Sequence, residues 1–140
     1  MPHKDPVTQD VYDEVRSRDV IQRWVNLLKW FEVDPSNIAE SMEMFRQAQE
    51  NPCVAPTVDP LDSGPCSGRL TLDHVHRHAG GTMGKRAPSD PEHLVCLCAR
   101  HHLGENEKGG RIWALANKDK LRWYLEAIYG EEDGAERQGD

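Results

Sequence analysis

The chain has 140 residues, of which 37% are hydrophobic and 29% are charged, and its formal net charge at pH 7 is −7. That size and composition indicate one modest globular domain, with room for an appendage. The chain has no apolar run near the ~20 residues of a membrane helix, and it lacks a charged start followed by a hydrophobic run. We therefore expect no membrane association, no secretory signal and a cytoplasmic location.

The acidic residues are unevenly distributed along the chain. Residues 1–52 carry six Lys or Arg against ten Asp or Glu, and residues 112–140 carry four against seven. Residues 53–111 carry seven of each, together with six of the seven His. An acidic chain disfavours tight nonspecific binding to DNA but does not exclude it, because the acidic excess lies outside the central segment.

Apolar spacing predicts two helices at the start of the chain. Residues 8–18 form the first, and Asp19 is the candidate N-cap of the second, which runs to Phe31. The second helix should end near Asp34, because the residue before a proline is steered away from helical backbone angles. The two are therefore predicted as separate helices that meet at Asp19.

A third helix is predicted after the VDPSN segment, with Ser36 as its N-cap. Its apolar stripe comprises Ile38, Met42 and Phe45. Residues 20–51 then form an antiparallel helical hairpin. Its large apolar side chains have two interpretations, packing between the helices or a partner-binding surface; they are Trp24, Trp30, Phe31, Met42, Met44 and Phe45.

The central segment alternates loops with short elements. Residues 51–69 are rich in Pro, Gly, Asp and Ser, which predicts a loop whose two Cys are its anchors. A short strand over 69–73 and a second loop over 79–91 follow. The segment 92–98 is short and apolar, and a helix is predicted from Ala99.

The chain ends in one more predicted helix and a tail. Gly109-Gly110 break the chain, and Asn117 caps a helix whose apolar face comprises Leu121, Leu125 and Ile128. Residues 130–140 are acidic and Gly-rich, which predicts a disordered tail.

Four side chains make a candidate Cys3His metal site. Cys98 and His101 have the separation of a zinc pair. Cys53 and Cys66 are separated by twelve residues, and their Pro/Gly loop has no core of its own and needs an anchor. The alternative is a set of buried free thiols. Only one residue separates Cys96 from Cys98, a gap that does not suit a zinc pair, so Cys96 is expected to pack in the core.

Asp73, His74 and His102 are candidate catalytic residues. A hard divalent cation between Asp73 and His102 would meet phosphate oxygens and neutralise developing charge. The imidazole of His74 would take a proton from water, because the ordinary pKa of His, ~6.5, suits a base at neutral pH. The set favours a metal-dependent phosphodiesterase.

This part of the chain resembles the HNH endonuclease superfamily, whose fold is a ββα-metal finger. The resemblance rests on the Asp73-His74 pair, the Gly80-Gly81 loop and the segment HLVCLCARHH that ends at His102. A narrower likeness, to small HNH proteins of actinobacterial phages, rests on GPCSGRLTLDHV, GKRAPSDPEHLV and NKDKLRWYL. The chain is therefore expected to be encoded by a phage and to act in the host cytoplasm.

The resemblance implies a role for individual residues. Asp73 matches the metal carboxylate of the family, His74 the general base and His102 the last metal ligand. His93 stands where the family has an Asn that braces the loop by hydrogen bonds. Since imidazole can still donate a hydrogen bond, we expect the activity to be kept.

The resemblance covers residues 8–19 and 53–129 and leaves 20–51 as an inserted hairpin. Within it, Cys98 and His101 match the second zinc pair of the family, with His in place of the usual Cys. The predicted fold class is α+β: a small ββα-metal finger with structural zinc, flanking helices and an inserted helical hairpin. The predicted divisions are an N-terminal helical region, a nuclease core and a tail, at 1–52, 53–129 and 130–140.

The predicted activity is hydrolysis of DNA phosphodiester bonds, by nicking or by double-strand cleavage, with Mg2+, Mn2+ or Ni2+ as the catalytic ion and a link to DNA packaging. His76 and His78 either touch phosphate or are solvated. The other candidate phosphate contacts are Arg69, Arg77, Lys85, Arg86 and Arg100.

Two other functions use the same residues. One is a non-catalytic, zinc-stabilised module that binds DNA or protein, with residues 20–51 docking a packaging protein or a second copy of the chain. The intact Asp73-His74 pair argues against it, because a zinc clamp does not require that pair. The other is an RNA-directed toxin nuclease, which shares the site but not the phage-like motifs.

Overall fold

The computed structural model describes residues 6–77, 88–105 and 112–138, with side chains in the last range as far as Gly130. Over these residues the fold is α+β, as predicted. Its elements in chain order are α1 (Gln9–Trp30), α2 (Ile38–Glu50), α3 (Ala55–Val58), β1 (Leu70–His74), a 3-10 turn (Pro91–His93), β2 (Leu94–Cys98), α4 (Ala99–Leu103), α5 (Trp113–Ala116) and α6 (Lys118–Gln138). None of the described helices is long and apolar enough to cross a membrane.

The two strands pair antiparallel, with Thr71 opposite Leu97 and Asp73 opposite Val95. Strand β1 lies close to the strand predicted over 69–73, β2 lies within the short apolar segment 92–98, and α4 begins at Ala99 as predicted. Every residue of β2 is buried, because α1 covers one face of the sheet and α3 and α6 cover the other. An apolar strand without alternation is the pattern expected when both faces are covered.

Helix α1 runs unbroken through Asp19, so the predicted break and N-cap there are wrong. The helix is capped by Thr8, whose side chain accepts a hydrogen bond from the N–H of Val11. Asp19 is buried, and its carboxylate accepts hydrogen bonds from the Cys96 N–H at 2.8 Å and the Tyr124 hydroxyl at 2.6 Å. Buried polar groups need partners, and here β2 and α6 supply them.

The predicted boundary at residue 20 therefore falls inside α1. Before this point Val15 packs against β2, and beyond it Leu27 packs near Ala48 of α2. The same helix thus joins the N-terminal helical pair to the sheet.

Helices α1 and α2 form the predicted antiparallel pair. Trp24 donates its Nε1–H to the Ser41 carbonyl at 2.9 Å and meets Phe45 edge-on, with ring centroids 5.1 Å apart. The packing interpretation therefore holds for these two rings. Several other large apolar side chains of the pair are exposed: Trp30, Phe31, Ile38 and Met42.

The N-cap of α2 is Asn37, not Ser36 as predicted. The Asn37 side chain accepts a hydrogen bond from the Glu40 N–H at 3.2 Å. Ser36 instead donates its hydroxyl to Asp34 at 2.9 Å. Both residue types cap helices well, so the sequence alone did not separate two adjacent candidates.

Helix α6 buries Leu121 and Leu125 as predicted, and Ile128 packs against the same core. The helix continues through Gly130 to Gln138, whereas the composition predicted disorder from residue 130. The segment contains Glu, Ala, Arg and Gln, which have high helix propensity, and an established helix extends readily into such residues.

Candidate metal centre

The structure brings together the predicted Cys3His group, Cys53, Cys66, Cys98 and His101, and one ligand atom from each lies within 4.8 Å of the others. His101 Nδ1 lies 3.7 Å from the sulfurs of Cys53 and Cys66 and 3.0 Å from that of Cys98. Tetrahedral zinc, with Zn–S and Zn–N bonds of ~2.3 and ~2.0 Å, holds sulfur and nitrogen roughly 3.5 Å apart. The predicted grouping is confirmed, and this largely buried group could hold a metal such as zinc.

Helix α4 fastens the loop that carries Cys66. The backbone N–H of Arg100 donates to the Ser67 carbonyl at 3.1 Å. His101 Nε2–H donates to the Ser63 carbonyl at 2.7 Å. With its proton on Nε2, His101 presents the Nδ1 lone pair to the sulfurs, which is how a protein commonly orients a metal-binding imidazole.

The thiols of the Cys3His group strongly shift one another's pKa values. Hydrogen bonds from Cys53 and Cys66 hold the pKa of Cys98 far below its ordinary value, and the hydrogen bonds of Cys53 with Cys66 and Cys98 hold the pKa of Cys53 far above it. Burial lowers the pKa of His101, but its hydrogen bonds to Cys66, Cys98 and the Ser63 carbonyl outweigh burial and raise that pKa to about 10. A cation bound by thiolates would take the place of these shared protons.

A second pair of ligand groups lies where β1 meets α4. Asp73 is buried in β1, and its Oδ1 lies 3.4 Å from His102 Nε2. A divalent cation bound to one oxygen and one nitrogen at ~2.1 Å each separates them by roughly 3.0–3.4 Å. The structure therefore brings together the two residues predicted to hold the catalytic ion, at a distance that one cation spans.

Lys118 is the member of this site that sequence reasoning missed. It begins α6, and its ammonium group bonds to Asp73 Oδ2 and lies 3.4 Å from the His74 carbonyl oxygen. The lysine side chain is 32% exposed, so it is accessible from solvent. No local signal marks it, because 45 residues separate it from Asp73.

His74 ends β1, and its Nε2 lies 2.8 Å from the Ser89 hydroxyl. Since successive strand residues point to opposite faces, His74 leaves the sheet on the side opposite Asp73. The hydroxyl of Ser89 fixes one ring nitrogen of His74 and thereby restrains the orientation of the ring.

His93 is buried at the end of the 3-10 turn. Its Nδ1 lies 2.5 Å from Asp90 Oδ1, and its carbonyl accepts the Val75 N–H at 2.8 Å. These contacts connect the segment before β2 to the segment that follows β1. The position is consistent with the bracing role that the resemblance implies.

Arg77 is not available to phosphate, contrary to the prediction. Its side chain is 1% exposed, and it pairs with Glu126 at 2.9 Å and Glu92 at 3.3 Å. The guanidinium also lies over the Tyr129 ring, 5.8 Å from its centroid. Arg77 therefore ties α6 to the turn before β2, a role that became visible only when the helix position was known.

The other two described arginines that were predicted to contact phosphate, Arg69 and Arg100, have protein partners as well. Arg69 is exposed and pairs with Glu105 at 3.0 Å. Arg100 donates to the Pro65 and Ser63 carbonyls and so supports the loop of the Cys3His group. Arg69 is exposed, whereas Arg100 is half-buried.

Some predicted features lie outside the described residues: His78, Gly80-Gly81, Lys85 and Arg86. His76 is described and half-buried, and its carbonyl accepts the Nε–H of Arg122 at 3.1 Å. Cys96 is buried between α1 and β2, and burial raises the pKa of its thiol, so its predicted packing role is confirmed.

Comparison of the chain with protein-family models, with curated proteins and with solved structures found no match. The assignment of a function therefore depends on the residues of the two sites.

Proposed function

We propose that the protein is a metal-dependent endonuclease of the HNH type that hydrolyses DNA phosphodiester bonds. The observation that carries the proposal is the meeting of Asp73 with His102 directly beside the Cys3His group. The succession of β1, β2 and α4 around the two sites agrees with a ββα-metal finger. Zinc at Cys53, Cys66, Cys98 and His101 is the structural ion of this proposal.

Each candidate catalytic residue has a chemical task. Asp73 and His102 hold a divalent cation, Mg2+, Mn2+ or Ni2+, which when bound neutralises negative charge on the phosphate group. His74 accepts a proton from the attacking water. His93 braces the segment that leads into β2 through its bond to Asp90. Lys118 pairs with Asp73 when no cation is bound and competes with the cation for the carboxylate.

The acidic net charge disfavours tight nonspecific binding to DNA, so the proposed nuclease engages the DNA backbone only locally. Contacts to phosphate position a protein but carry no sequence information. Of the basic residues predicted for this task, Arg69 is exposed and Arg100 is half-buried. Affinity for DNA should therefore be modest and strongly dependent on salt.

A plasmid assay tests the proposal. Zinc-loaded protein is incubated with supercoiled DNA and Mg2+, Mn2+ or Ni2+, with a chelator in a parallel reaction and an RNA substrate in another. We expect metal-dependent conversion of the plasmid to nicked or linear forms, and none with Asp73→Asn. Cleavage of RNA alone would favour the toxin nuclease, and no cleavage with any of the ions would contradict the proposal.

The bond from Lys118 to Asp73 favours one alternative. A carboxylate already paired with an ammonium group does not need a metal, which suits a zinc-stabilised module that binds DNA or protein without cutting. The exposed Trp30, Phe31, Ile38 and Met42 would then face a partner, such as a phage packaging protein or a second copy of the chain. A gel-shift complex with DNA that persists without any cleavage would support this alternative.

A further inference from the structure

Thr71 connects the sheet to the imidazole of His102. Its Oγ lies 2.7 Å from the Leu97 carbonyl oxygen and 2.7 Å from His102 Nδ1. A hydroxyl has one proton to donate, and a carbonyl oxygen can only accept. The Thr71 proton therefore points to Leu97, and the oxygen of Thr71 accepts the Nδ1–H of His102.

This pair of hydrogen bonds selects the tautomer of His102. A neutral imidazole carries one N–H, so a proton on Nδ1 leaves a lone pair on Nε2. His102 Nε2 faces Asp73 Oδ1 at 3.4 Å. Two electron-donating atoms at that separation suit a shared cation, whereas the other tautomer would place a proton between them.

We propose that Thr71 is a positioning residue that fixes His102 as the Nδ1–H tautomer and turns Nε2 toward Asp73. Its consequence for metal affinity rests on the proposed function, whereas the tautomer itself does not. Backbone strain is not required for this role, because Thr71 belongs to regular β1 and its partner Leu97 lies directly opposite. Substitution of Thr71 by Val removes the hydroxyl, suits a strand and fills nearly the same volume.

The tautomer is read directly by long-range 1H–15N NMR of the zinc-loaded full chain, with the His102 signals assigned from His102→Gln. We expect Nδ1–H in the wild type and in Thr71→Ser, and loss of this preference in Thr71→Val. Thr57→Val makes the same chemical change in α3 and should leave the His102 signals unchanged. An Nε2–H tautomer in the wild type, or a Thr71→Val spectrum like that of the wild type, would overturn the proposal.

Calorimetric titration with Mn2+ adds a readout of the site. Substitution of a residue that orients a metal ligand commonly weakens affinity by about 10–100-fold, and we expect that loss in Thr71→Val with recovery in Thr71→Ser. The zinc content of each variant is measured to show that it is folded. If Thr71→Val loses its zinc, the titration is done with Thr71→Ala instead. Unchanged Mn2+ affinity in a folded variant without the hydroxyl would contradict the positioning role. A wild type that binds no Mn2+ would instead overturn the proposed function, and the NMR result would still decide the role of Thr71.

Discussion

His101 and His102 are consecutive residues that present opposite ring nitrogens to two different sites. His101 Nδ1 lies 3.0 Å from Cys98 Sγ, while His102 Nε2 lies 3.4 Å from Asp73 Oδ1. Helix α4 has only five residues, so its orientation depends on what its side chains bind. Whatever fixes His101 in the Cys3His group therefore also fixes His102 against β1.

The first prediction concerns loss of the structural zinc. Cys98→Ala should lower the zinc content from about one ion per chain to none and release the loop that carries Cys66. Elemental analysis of the purified protein measures this directly. Because α4 orients both histidines, binding of Mn2+ at Asp73 should be lost as well.

Cys96→Ser is the matched control, since Cys96 lies two residues away in the same strand but faces α1. It should keep its zinc. Zinc loss in this variant, or retention of zinc by Cys98→Ala, would show that the ligand set is wrong.

The second prediction concerns the buried carboxylate in α1. Asp19 pairs with Arg18 and accepts bonds from Cys96 and Tyr124, so Asp19→Ala leaves these groups without their partner. The free energy of unfolding should fall by about 3 kcal/mol in chemical denaturation. The exposed Glu14→Ala on the same helix should change it by less than about 0.5 kcal/mol. Equal effects of the two substitutions would exclude the proposed role of Asp19.

The buried contacts of Asp19 also show what the sequence could not supply. Its position before an apolar run made Asp19 a candidate N-cap. Its actual partners, Cys96 and Tyr124, lie 77 and 105 residues away in the chain. The same holds for Arg77, a predicted phosphate contact whose partners are Glu92 and Glu126. Partners distant in sequence leave no trace in local spacing.

The Cys3His group was predictable for a complementary reason. The Cys98–His101 spacing is set by the geometry of one metal site, and a loop rich in Pro and Gly needs an external anchor. Both arguments are local. The pairing of Asp73 with His102 was predicted from the residue types and again from the resemblance, whereas Lys118 and Thr71 required coordinates.

The third prediction concerns Lys118. Its ammonium group and a divalent cation compete for the Asp73 carboxylate, so Lys118→Met should tighten Mn2+ binding by roughly tenfold or less in a calorimetric titration. Lys120→Met is the control, because Lys120 pairs with Asp59 at 3.2 Å instead. Weaker Mn2+ binding by Lys118→Met would mean that the lysine supports the site rather than competing for it.

The fourth prediction concerns His93. If its task is to brace the turn through Asp90, His93→Asn should keep metal-dependent cleavage, because an amide can still donate the hydrogen bond. His93→Ala should lower the cleavage rate by about 10²-fold through displacement of the catalytic groups. Initial rates on supercoiled plasmid compare the two variants. An active Ala variant beside an inactive Asn variant would contradict bracing.

The most direct test of the nuclease assignment is the rate of Mn2+-dependent plasmid cleavage by His74→Ala beside His76→Ala. The two histidines belong to the same segment, and only His74 is assigned a proton transfer. We predict that His74→Ala abolishes cleavage while keeping its zinc and that His76→Ala cleaves at close to the wild-type rate. The wild-type rate should also decline below about pH 6, because a protonated imidazole cannot accept a proton. Plasmid cleavage by His74→Ala at the wild-type rate would contradict the account.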